Sequence, residues 1–112
     1  MQKPLAMLLP PTKVRVLAIR PWTRKLDRVR ASLRAEGLEP RFLRVDIEPA
    51  LNAALTRGDF DVALVDPDVP GLPAKVIEEA FRTHRVGMPW LVLEDEDGIG
   101  PLVVRALASI RN

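Results

Sequence analysis

Four times along this chain, a short run suited to a β-strand is followed by a stretch whose apolar residues recur at helical spacing. That alternation leaves few folds open. Each helix has to carry the chain back over the sheet so that the next strand lies parallel to the last. The first run, Val14 to Ile19 (VRVLAI), is β-branched and apolar. Pro21 breaks it, and a helix is expected from about Trp22 to Glu36. There Trp22, Leu26, Val29 and Leu33 stand four, three and four residues apart on one stripe, and Gly37 suits the left-handed residue that closes a helix. The second run, Pro40 to Asp46 (PRFLRVD), alternates basic and apolar residues, as a strand near a sheet edge with one wet face does. A helix from about Glu48 to Arg57 follows, with Pro49 in its first turn, Ile47, Leu51, Ala54 and Leu55 inward, and Gly58 at its end. The third strand is expected over Phe60 to Asp66, and a helix burying Val76, Ile77, Ala80 and Phe81 over Pro73 to His84. The fourth strand is expected over Pro89 to Glu94. Pro101 opens the last helix, with Leu102, Val103, Ala106, Leu107 and Ile110 inward.

The length of 112 residues suits one domain, and 47 % hydrophobic content supports a real core. Residues 1–12, with Leu5, Leu8 and Leu9, read as a flexible leader to a folded domain over 13–112. The absence of cysteine excludes disulfides, thiol catalysis and thiolate metal sites. No apolar run approaches the roughly 20 residues that span a membrane, and the N-terminus has no small-residue cleavage site, so a cytoplasmic location is expected. Charge is uneven. Up to Arg44 there are 11 basic against 3 acidic residues, and beyond it 6 against 12, so the two parts carry +8 and −6. Separate basic and acidic faces would favour an acidic partner or self-association, and the simpler reading is an arginine-rich solvated first helix.

In open parallel sheets, ligands and chemistry gather beyond the carboxyl ends of the strands. Here those ends carry Arg20-Pro21, Asp46, Asp66-Pro67-Asp68 and Glu94-Asp95. The stretch DFDVALVDPDVPG, Asp59 to Gly71, delivers Asp66 from an apolar strand into a proline-glycine turn.

The residues resemble the receiver domain of two-component response regulators, from about Lys13 to Asn112. The match is carried by GDFDVALVDPDVPGLPAKVIEEAF, by MPWLVLEDEDG at the fourth strand and by LRAEGLEP between the first helix and second strand. The resemblance implies a flavodoxin-like α/β fold: a parallel sheet of four or five strands in the order 2-1-3-4, flanked by helices. It also implies that Asp66 holds the place of the phospho-acceptor. In that family the acceptor works with magnesium held by an acidic pair at the end of the first strand, a Ser or Thr ending the fourth, and a lysine ending a fifth. This sequence has Arg20 and Pro21 at the first place, Glu94 at the second, and no clear fifth strand. A guanidinium repels a cation, and a carboxylate repels a phosphoryl oxygen.

Asp66 is therefore expected to keep the position without the reaction, in a pocket with Arg20, Asp68 and Glu94. Arg20 is expected to pair with Asp66 and to come within reach of Glu94. No metal site and no cofactor are expected. His84 is the only histidine, and the EDED run from Glu94 to Asp97 lacks the spaced ligands of a calcium loop.

The reading that follows is a non-catalytic, degenerate receiver-like domain of a signalling or transcription-regulatory system. It would act through protein–protein contacts or as a homodimer, through its basic first helix, its last helix or the apolar WLVL edge. One alternative is a functional receiver phosphorylated on Asp66. Another is a nucleic-acid-associated regulator using the arginine-rich half, but the chain shows no helix-turn-helix pairing, zinc module or aromatic stacking platform.

Overall fold

The structure, a computed structural model, describes residues 11–111, so the expected leader through residue 10, with its three leucines, lies outside the described residues. The elements are β1 (Thr12–Ile19), α1 (Asp27–Ala35), β2 (Leu38–Val45), α2 (Glu48–Arg57), β3 (Val62–Val65), α3 (Ala74–Thr83), β4 (Trp90–Val92) and α4 (Ile99–Arg111). The strands form one parallel sheet in the order β2-β1-β3-β4. The expected α/β class, helix–strand alternation and strand order are all present.

Strand side chains alternate between faces, and this divides the core in two. Val14, Val16 and Ala18 of β1 with Val62 and Leu64 of β3 meet Val29 and Leu33 of α1 and Ile99 and Val103 of α4. Leu17, Ile19, Ala63 and Val65 face the other way, onto Leu51, Ala54 and Leu55 of α2 and Ile77 and Ala80 of α3. Two helices thus cover each face. β3 and the second half of β1, Val16 to Ile19, are buried on both sides, which is why these runs are apolar without alternation. Gly58 ends α2 at φ 67°, and Gly37 takes φ 79° between α1 and β2.

Four details differ from the sequence pattern. α1 begins at Asp27, because Pro21 starts a turn closed by Arg24 N–H on the Pro21 carbonyl at 3.0 Å. Trp22 falls in that turn and is 68 % exposed instead of heading the buried stripe. Ile47 caps α2 in an extended conformation, outside the helix whose face it was expected to join, and is exposed. α4 begins two residues before Pro101, so Ile99 and Val103 form the buried stripe while Leu102 stands exposed. Val76 and Phe81 are half-buried at the rim of their core.

α4 lies close against α1. A β-carbon on Gly100 would drive into the Ser32 carbonyl oxygen, a backbone atom that cannot swing aside. Gly100→Ala is expected to destabilise the domain by about 2 kcal/mol through overpacking, read as a lower urea midpoint with an unchanged slope.

Candidate functional site

The register of the two central strands builds the site. Ile19 of β1 pairs with Val65 of β3, so the next residues, Arg20 and Asp66, emerge side by side at the carboxyl edge. Both stay in the ladder. Arg20 N–H donates to the Val45 carbonyl at 3.1 Å and Asp66 N–H to that of Ile19 at 2.9 Å. Their side chains are buried, 3 % exposed for Arg20 and 0 % for Asp66.

Arg20 Nη1 donates to Asp66 Oδ1 at 2.8 Å. Arg24 Nη1 reaches Asp66 Oδ2 at 3.2 Å from the β1–α1 turn. The other arm of Arg20, Nη2, pairs with Glu96 Oε1. Arg28 Nη1 lies 3.6 Å from Glu96 Oε2, and Arg28 grips Asp97 with Nε at 3.0 Å and with Nη2. Three guanidiniums and three carboxylates therefore alternate from the buried centre to the surface. Arginine suits this role, because its planar fork serves two carboxylates at once. Arg20 Nε is buried with no partner.

Two further residues hold the frame. Arg44 donates from Nη1 to the carbonyls of Pro21 (3.0 Å) and Arg24 (2.6 Å), and its guanidinium lies 5.0 Å from the centroid of the Trp22 ring. It thereby fixes the turn that carries Arg24. Ser32, buried on α1, donates to the Asp97 carbonyl and accepts the Gly100 N–H, each at 2.8 Å. It ties the loop bearing Glu96 and Asp97 to α1 and satisfies a free N–H in the first turn of α4.

Of the four residues expected in the pocket, the structure brings Arg20 and Asp66 together. Asp68 is exposed in the turn before α3. Glu94 does not reach Arg20. A tight turn, Glu94 N–H to the Val92 carbonyl at 3.2 Å, leaves it exposed and delivers Glu96 to the arginine two residues later. Arg24, Arg28, Glu96, Asp97, Ser32 and Arg44 were missed. Their one sequence signal is the spacing of four in Arg20, Arg24 and Arg28, opposite an acidic run. His84 caps α3 with Nε2 2.9 Å from Asn52 Oδ1, a structural contact.

Basic residues of the first part meet acidic residues of the second at several points. Arg15 pairs with Asp59 at 2.5 Å, and Arg20, Arg24 and Arg28 pair with Asp66, Glu96 and Asp97. At the carboxyl edge these pairs form because the parallel register brings the ends of β1 and β3 side by side.

Among the described residues, no group of three or more His, Cys, Asp or Glu is placed to hold a metal ion. Magnesium does not fit beside Asp66. Both carboxylate oxygens there already face guanidinium nitrogens, and the residue closest to where a cation would sit is itself a buried cation.

Four parallel strands in this order with helices on both faces form a flavodoxin-like, receiver-like domain. Among solved structures the chain is similar to the signal receiver domain of a NarL response regulator from Mycobacterium tuberculosis. The TM-score is 0.52 and the identity 25 %, over 88 % of this chain and 78 % of that one. No family model and no curated protein matches it.

Removing one partner of a buried ion pair strands the other, at about 3–5 kcal/mol. Arg20→Met is expected to show that loss in urea denaturation, and Arg20→Met/Asp66→Leu to recover most of it. The Arg28 hydrogen bond holds the Asp97 carboxyl below its ordinary 3.8, and the same contact raises Arg28. A carboxyl with a depressed folded pKa stabilises the fold above its unfolded value and loses that contribution as pH falls through the folded one. Asp97→Asn is therefore expected to make stability fall less steeply below about pH 4, measured by thermal melts across an acid series.

Proposed function

We propose that this chain is a degenerate receiver-like domain that works by binding other protein surfaces, with the aspartate of the phosphorylation switch held permanently in an ion pair. The observation that carries this reading is that both oxygens of the buried Asp66 carboxylate are engaged by arginines. Attack on a phosphoryl group needs a free carboxylate oxygen, and a cation to offset the charge of two approaching anions. Arg20 offsets the charge but takes the oxygen, and it is tethered to the sheet. The site is thus set in one charge-balanced state and performs no catalysis.

The signalling role rests on the receiver-like fold, whose members pass signals by contact. The nucleic-acid reading loses support from the ion pairs that occupy Arg15, Arg20, Arg24 and Arg28. Among the described residues no helix is long and apolar enough to cross a membrane.

The test is incubation with acetyl phosphate and magnesium, followed by intact-mass measurement on protein shown to be folded. The expected result is no Asp66-dependent mass gain. A phosphoryl adduct that disappears in Asp66→Ala would replace this reading with that of a working receiver.

A further inference from the structure

Among the described residues the sheet ends at β2 on one side and β4 on the other, and the two edges differ. β2 carries Glu39, Pro40, Arg41 and Arg44, charges and a proline that discourage another strand from pairing there. β4, Trp-Leu-Val, carries neither. Leu91 and Leu93 turn into the α1/α4 core. Trp90 and Val92 point to the other face, where Trp90 meets Phe81 of α3 at 5.3 Å between ring centroids and Val92 is 52 % exposed.

Backbone phase makes this edge ready for a partner. The Pro89 carbonyl and Leu93 N–H bond to β3, so by alternation the groups of Trp90 and Val92 face outward. The Val92 carbonyl takes only the tight turn from Glu94 on its own chain and has a second lone pair free. Charge is also polarised along the edge. Arg82 and Arg85 lie exposed before the strand and Glu94 and Asp95 exposed after it, none in an ion pair among the described residues.

We infer that β4 pairs antiparallel with β4 of a second copy of this chain, on a two-fold axis through Leu91. In that register Trp90 lies opposite Val92 of the second copy. Each such pair exchanges both backbone hydrogen bonds, and an aromatic ring packs against a β-branched side chain. The basic end of one strand then meets the acidic end of the other, and the two-fold repeats both matches. A copy running parallel would set like ends together. The inference deepens the proposed function by naming the partner, and it rests on that reading only for the dimer's independence from phosphorylation.

The experiment is sedimentation equilibrium of the full chain from low micromolar to millimolar concentration. A concentration-dependent dimer is expected. Val92→Lys should weaken it about tenfold or more, with an unchanged thermal melt at concentrations where both proteins are monomeric, since Val92 is half exposed. Glu94→Arg should weaken it by bringing a like charge to the basic end of the other copy, and Arg85→Glu in the same chain should restore part of it. Leu102→Glu, on the exposed face of α4, should leave it intact. A monomer at every concentration, or a dimer lost to Leu102→Glu but not to Val92→Lys, overturns the proposal. Acetyl phosphate with magnesium should change nothing. A Val92-dependent dimer that responds to it would uphold the edge contact and overturn only the fixed-aspartate reading.

Discussion

Burying an arginine and an aspartate at the mouth of a hydrophobic sheet is costly unless each finds its counter-charge in the right geometry. The Arg20–Asp66 pair meets that condition because Ile19 and Val65 stand in register, so the two side chains leave adjacent strands at the same height. The rest of the carboxyl edge is arranged around them. Arg24 engages the second oxygen of Asp66, Glu96 takes the second arm of Arg20, and Arg28 with Asp97 carries the alternation out to solvent. Each buried charge is thus balanced within the network, and the outer members exchange with water at little cost.

The network also organises the two ends of the chain. Its cations come from β1, the turn after it and α1. Its anions come from the ends of β3 and the β4–α4 loop. Arg44 on the edge strand braces the first group, and Ser32 on α1 braces the second. This joins the loop after β4 to the first helix, so α4 packs against α1 and the helices divide two and two between the faces.

That division leaves the edges of the sheet to their own chemistry. β2 is guarded by charge and proline, whereas β4 presents tryptophan and valine beside the single helix α3. Within the domain, the central aspartate is neutralised by arginines of the same chain. The surface asymmetry is a separate feature, and the β4 edge lies outside the ion-pair network.

The sequence by itself determined the elements, their order and the aspartate's position. Alternating hydrophobic periods admit only one class of fold, and the α2 boundaries and the glycine at its end follow from local chemistry, whereas the strand order came from the resemblance to receiver domains. The pairing of Arg20 with Asp66 was also legible, since both sit one residue past adjacent strands. Only the tertiary structure decided which acid completes that pair, because a one-turn change in the loop after β4 exchanges Glu94 for Glu96. It also decided that Trp22 lies in solvent under Arg44 instead of in the core, where its spacing alone would put it. Local propensity acts over a few residues. The charge partners stand 46 and 76 positions apart in sequence, so only the folded path of the chain selects them.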